Sequence, residues 1–124
     1  MTRARSGKPR KSKTWNLKSK LIPAIRKIWL YSPLRKEVLT NAKVDGKFRC
    51  NICKDLFEKV HVDHIKPIVS LKEGFTDDWN EYIRNTFCDI RNLQAICEQC
   101  HSAKSMTERE LRKKYRSKRK KNEK

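Results

Sequence analysis

Two C-x-x-C pairs, Cys50 with Cys53 and Cys97 with Cys100, stand with 43 residues between them. Each pair can offer two thiolates to one ion. Two such pairs make the tetrahedral four-thiolate set of a closed structural zinc site, with no open position for a substrate. The constraint on folding is strong, because the chain near residue 50 must return to meet the chain near residue 100. A sequence of 124 residues supports one small domain with a modest core. Zinc would add folding free energy on the order of 10 kcal/mol. The competing readings are unrelated reduced thiols or a redox C-x-x-C, and the second is disfavoured because neither pair sits in a βαβ pattern. Cys88 is left over and reads as a small buried hydrophobe. Four of the five cysteines fall in these pairs, and with no signal-peptide core that favours metal ligation in a reducing compartment, with the cytoplasm expected, over disulfides.

The formal charge is +18, and it is unevenly spread. Residues 1–20 hold eight basic residues and no acid, and residues 109–124 hold ten basic and two acidic. Residues 21–108 are nearly balanced, with 14 basic and 12 acidic. A near-neutral body with two cationic arms suits a polyanion, nucleic acid first and an anionic membrane surface second. No apolar run reaches the length of a membrane span. Residues 1–20 have little to bury and read as a basic flexible arm, with Trp15 and Leu17 as its first anchored residues.

Residues 21–45 read as a helical segment. Pro23 fits a first helical turn, and Ile25, Ile28 and Trp29 follow at helical spacing. Ser32-Pro33 reads as an N-cap and first-turn proline, with Leu34, Val38, Leu39 and Ala42 on one face. Val44-Asp-Gly46 is a turn, and residues 47–50 form a short strand into the first cysteine pair. Residues 56–65 alternate weakly as one strand that Pro67 ends. Thr76 can cap a helix with Asp77 and Asp78 in its first turn and Trp79, Tyr82, Ile83 and Phe87 as its stripe. Leu93 and Ile96 pack the approach to the second cysteine pair. A helix starts near Glu98 and carries His101 and Lys104. Thr107-Glu-Arg-Glu110 fits a capping box for a further helix that frays beyond Ser117.

His101 directly follows Cys100. Adjacent helical residues differ by about 100° in direction, so His101 points away from the zinc. The 56–65 strand is its natural neighbour, and it carries Asp63-His64 near its end. Asn92 lies nine residues ahead of His101. Singly, each of these residues is more often structural than functional. Asp63 and His64 would face opposite sides of a flat strand, so sharing one site demands a bend or bulge there.

His61-Val-Asp-His-Ile-Lys-Pro67, Asn92-Leu-Gln-Ala-Ile-Cys97 and Cys100-His-Ser-Ala-Lys104 resemble the three parts of an HNH endonuclease motif, in its small zinc-knuckled form common in bacteriophages. The resemblance covers roughly residues 47–110. It implies an α+β fold, a ββα-metal finger spanning residues 46–108, flanked by the N-terminal helices and by basic tails at 1–20 and 109–124. It also implies that His64 is the general base, that Asp63 and His101 hold a catalytic cation, and that Asn92 steadies the loop that orients the base. Lys104 matches a basic position facing phosphate, and Lys66 joins it as a nucleic-acid contact. His61 has no fixed role, reading equally as a substrate contact, an accessory ligand or a plain strand residue.

The chemistry agrees with these roles. A neutral imidazole can take a proton from water near neutral pH. A carboxylate–imidazole ligand pair with open positions suits Mg²⁺ or Mn²⁺ and admits Ni²⁺, Co²⁺ or Zn²⁺. The expected activity is metal-dependent hydrolysis of double-stranded DNA, by nicking or double-strand cutting, with the basic arms supplying salt-dependent phosphate contacts. One site cuts one strand, so two cuts require a homodimer or rebinding. The alternatives are a non-catalytic zinc module that binds nucleic acid, or an accessory subunit of a phage DNA-packaging machine in the host cytoplasm. A homing role would need a recognition domain that is not visible.

Overall fold

The computed structural model describes residues 15–122. The expectations for residues 1–14 and 123–124 lie outside the described residues. The fold is α+β, with four helices and two small antiparallel sheets among the described residues.

Helix α1 spans Leu17–Leu30, and the Asn16 side chain caps it by accepting from the Lys18 N–H at 2.9 Å. The helix therefore begins inside the stretch expected to be a flexible arm. Pro23 lies within it instead of in its first turn, costing one backbone hydrogen bond. Buried Ile25 and Trp29, one turn apart, hold the helix on the body past that break. Trp15 and Leu17 are exposed and anchor nothing. Helix α2, Pro33–Ala42, starts as expected, with Ser32 as N-cap and Pro33 as its first residue. It lies against the later strands through Val38.

Strands β1 (Lys43–Val44) and β2 (Lys47–Arg49) form a hairpin. Its corner residues Asp45 and Gly46 have φ of 49° and 78°, the left-handed pair that an Asp-Gly turn favours. Strand β3 (Leu56–Phe57) pairs with β2 across the first cysteine knuckle, with Phe48 opposite Phe57. The expected single strand over 56–65 is thus two strands in different sheets. Phe57 faces β2, and β4 (His61–His64) leaves to pair with β5 (Leu93–Ile96).

The β4–β5 ribbon organises the centre. Its register sets His61 against Ile96, Val62 against Ala95, Asp63 against Gln94 and His64 against Leu93. All four β5 residues are buried. The period of two assigns them to two cores. Leu93 and Ala95 pack with Trp29 and Val38, while Ile96 packs with Cys50 and Cys97. Between the strands come helix α3 (Trp79–Thr86) and a short 3₁₀ turn at Ile90–Asn92. Asp78, not Thr76, caps α3, because Asp77 takes up φ of 63° and leaves the Asp78 carboxylate beside the Glu81 N–H. Trp79 and Tyr82 stack edge-on with Phe75, and Phe87 joins the Trp29 core, whereas Ile83 is largely exposed.

Helix α4 runs unbroken over Glu98–Asn122. The expected second start at Thr107 does not occur. The Thr107 hydroxyl bonds back to the Ala103 carbonyl at 3.1 Å, which satisfies it inside a continuing helix. The far half is also tied down. Arg112 donates to the carbonyls of Val69 and Ser70, and Arg119 donates to that of Lys72. Among the described residues, no helix is long and apolar enough to cross a membrane.

Candidate metal centre and active site

The four cysteine sulfurs lie within 4.8 Å of one another and could hold a metal ion. A zinc–sulfur bond of about 2.3 Å in a tetrahedron sets the sulfurs about 3.8 Å apart. Cys53 Sγ and Cys97 Sγ stand 3.9 Å apart, close to that spacing. Each knuckle also points a backbone N–H at its first sulfur: Cys53 N–H at Cys50, and Cys100 N–H at Cys97, both at 3.5 Å.

The electrostatics of the cluster favour a cation. Burial acts to raise the Cys50 thiol, but the backbone N–H groups of Cys53, Cys97 and Ile52 outweigh it and hold Cys50 at about 6. The Cys97 thiol, then burial, then Cys50 and Cys53 push Cys100 up to about 12. Cys53 is raised as well, by burial and by Cys50 and Cys97, against a lowering hydrogen bond at the Asp55 backbone. The Cys50 thiolate is favoured while Cys53 and Cys100 are pushed toward the thiol, which is the behaviour of close sulfurs that lack a positive charge. A dication supplies that charge.

On the other side of the ribbon, His64 is buried, 8 % exposed, with its ring centroid 5.1 Å from that of Trp29. Its Nε2 lies 2.8 Å from the Thr86 carbonyl oxygen. A carbonyl only accepts, so Nε2 is the donor, and in the neutral tautomer that makes this bond the lone pair is on Nδ1. Asp63 accepts from Gln94 Nε2 and from Lys104 Nζ, both at 3.1 Å and both on Oδ2. His101 stacks on His61, with centroids 4.6 Å apart. Asn92 clamps the segment after β4: its Oδ1 accepts from the Lys66 N–H at 2.9 Å, and its Nδ2 donates to the Lys66 carbonyl at 3.2 Å.

Asp63, His64 and His101 line one cleft of about 340 Å³, bordered by Arg26, Arg112, Glu108 and Trp29. The expected bulge between Asp63 and His64 is absent, because the pairing with β5 runs through both without a break. Among the described residues, strand β4 pairs on one side only. Consecutive residues Val62, Asp63 and His64 therefore reach the cleft along its open edge, where side chains of both faces are available.

Lys104 is turned inward. Its ammonium contacts Asp63 Oδ2, the His64 carbonyl at 3.0 Å and the Glu108 carboxylate, with the side chain 20 % exposed. Burial would lower its pKa, but Glu108 and Asp63 raise it instead. Three oxygens are thus gathered around one positive charge at the cleft. Lys66 is exposed beside the Asn92 clamp.

Several residues at this site were not singled out by sequence. Trp29 read as ordinary core. The Thr86 carbonyl has no side-chain signature. Gln94 gains meaning only once the register sets it opposite Asp63. Glu108 had a usable signal, since it stands four residues after Lys104 on a helix. No family model, curated protein or solved structure matches this chain.

Proposed function

We propose that this chain is a metal-dependent HNH endonuclease that hydrolyses DNA phosphodiester bonds, with the β4–β5–α4 unit as its ββα-metal finger and zinc in the cysteine cluster. The observation that carries the reading is the orientation of His64. The Thr86 carbonyl accepts a hydrogen bond from Nε2, Trp29 packs on the ring, and the cleft also holds Asp63 and His101.

In this reading His64 Nδ1 removes a proton from the attacking water. Asp63 uses Oδ2 for Gln94 and Lys104, so Oδ1 is its ligand oxygen. A divalent cation held by Asp63 and His101 would offset charge on the phosphoryl group and on the departing 3′-oxygen. Magnesium or manganese fits a carboxylate–imidazole pair with open positions, and nickel, cobalt or zinc can also enter it. Asn92 holds the loop that follows the base, through both backbone groups of Lys66. Arg26 and Arg112 set positive charge at the rim for the phosphates, and the basic ends of the chain add salt-dependent affinity. One site per chain cuts one strand, so nicked DNA is the expected first product.

Zinc-loaded protein incubated with supercoiled plasmid tests this. Relaxation that requires magnesium or manganese and stops with EDTA supports the reading. Plasmid that is bound but left intact under every cation would favour a zinc module that only binds nucleic acid.

A further inference from the structure

We propose that Gln94 is a positioning residue that carries the rigidity of the cysteine knot to the cation ligand Asp63. The inference rests on the nuclease reading of Asp63. Gln94 lies directly opposite Asp63 in the ribbon and is 8 % exposed. Its Nε2 donates to Asp63 Oδ2 at 3.1 Å, and its Oε1 accepts from Asn51 Nδ2 at 2.8 Å. Asn51 sits inside the first knuckle, between Cys50 and Cys53, and its own N–H donates to the Ala95 carbonyl at 2.8 Å.

The direction of this relay is fixed by chemistry. A carboxylate only accepts, so the Gln94 nitrogen must face Asp63 and its oxygen must face the knuckle. Asn51 must then present its nitrogen to Gln94. Its oxygen faces the Lys54 ammonium at 3.4 Å, which is also the correct sense. Each amide orientation is consistent with the next from the cysteine loop to Asp63. The Gln94 and Lys104 bonds both fall on Oδ2 and fix the carboxylate plane with Oδ1 free for the cation. Supporting hydrogen bonds of this kind orient a metal ligand, and removing one costs roughly 10–100-fold in metal affinity. A buried glutamine that served only packing would affect stability and leave cation affinity alone.

Manganese titration of zinc-loaded protein, followed by the electron paramagnetic resonance of free Mn²⁺, reads the affinity without reference to turnover. Gln94→Ala should weaken Mn²⁺ binding about tenfold. Asn51→Ala, an exposed position, should weaken it about threefold, the scale of one neutral hydrogen bond. In both variants the manganese concentration for half-maximal cleavage should rise more than the rate at saturating manganese falls. Zinc content should stay at wild-type level. Mn²⁺ affinity within twofold of wild type in zinc-loaded Gln94→Ala would overturn the proposal. If that variant loses zinc, Asn51→Ala decides alone, and wild-type affinity there overturns it. Asp63→Ala is the control: if it binds Mn²⁺ as tightly as wild type, no cation sits at Asp63 and the nuclease reading falls with the relay. A tight wild-type site lost in Asp63→Ala but unchanged in the other two sinks the relay only.

Discussion

His64 donates from Nε2 to the backbone carbonyl of Thr86 at 2.8 Å, and this single contact decides which ring nitrogen can act as a base. The Thr86 residue is itself buried and held by its hydroxyl bond to the Tyr82 carbonyl at 2.7 Å, so the acceptor is a fixed point. Trp29 completes the support. Trp29→Ala should cost about 3–5 kcal/mol of stability, as for other large core aromatics. Trp29→Phe should remain folded and cut more slowly. Thermal melts read beside plasmid nicking separate the two effects. Unchanged nicking by folded Trp29→Phe would show that the ring needs no such support.

Zinc should be present at one ion per chain and should be required for folding. Cys97→Ser, or chelation of wild type, should abolish the cooperative melt, because the ion supplies folding free energy on the order of 10 kcal/mol. A cooperative melt in zinc-free protein would contradict this.

Acid should weaken zinc binding. Cys53 and Cys100 are raised in the metal-free cluster, Cys100 to about 12, so both are protonated at pH 7 and must lose those protons to become ligands. Affinity therefore rises with pH through neutrality. Calorimetry in buffers of different ionisation enthalpy should show proton release on zinc binding at neutral pH, from Cys53 and Cys100 at least. A buffer-independent heat would rule this account out.

The Lys104 ammonium neutralises two carboxylates at once. Lys104→Met leaves Asp63 and Glu108 facing each other without it and should destabilise the protein by about 1–3 kcal/mol. Adding Glu108→Gln should recover part of that loss, since one of the stranded charges is removed. Additive losses in the double variant, measured by urea unfolding, would mean that the two residues do not interact.

The far half of α4 braces the loop that follows β4. Arg112→Ala removes the bonds to the Val69 and Ser70 carbonyls. Amides of residues 65–76 should then exchange faster with solvent, by about tenfold for a loss near 1.4 kcal/mol. Exchange confined to wild-type rates would make these contacts incidental.

Much of this arrangement was legible in the sequence, and the reasons differ by element. The cysteine spacing carries its own geometry, so the cluster at Cys50, Cys53, Cys97 and Cys100 needed no tertiary information. Ser32-Pro33 and Asp45-Gly46 are local signals, and both worked as local rules say. The failures share a cause in long-range packing. Pro23 fits a helix start, yet burial of Ile25 and Trp29 carries α1 through it. Thr107 fits a cap, yet Arg112 and Arg119 anchor α4 beyond it. The demand for a bulge at Asp63-His64 assumed that side chains on opposite faces of a flat strand cannot line one cleft. An open strand edge removes that demand, and nothing in residues 56–65 announces which edge is open. Gln94 was invisible for the same reason, because cross-strand partners exist only after the register does.

The most direct test compares wild type with His64→Ala on supercoiled plasmid at matched zinc content, with manganese and with EDTA. The account predicts cation-dependent nicking by wild type and a loss of roughly 10²–10⁴-fold in His64→Ala, the usual contribution of a general base. Equal cutting by both proteins would contradict the assignment of His64. DNA binding without cutting by either would contradict the nuclease itself.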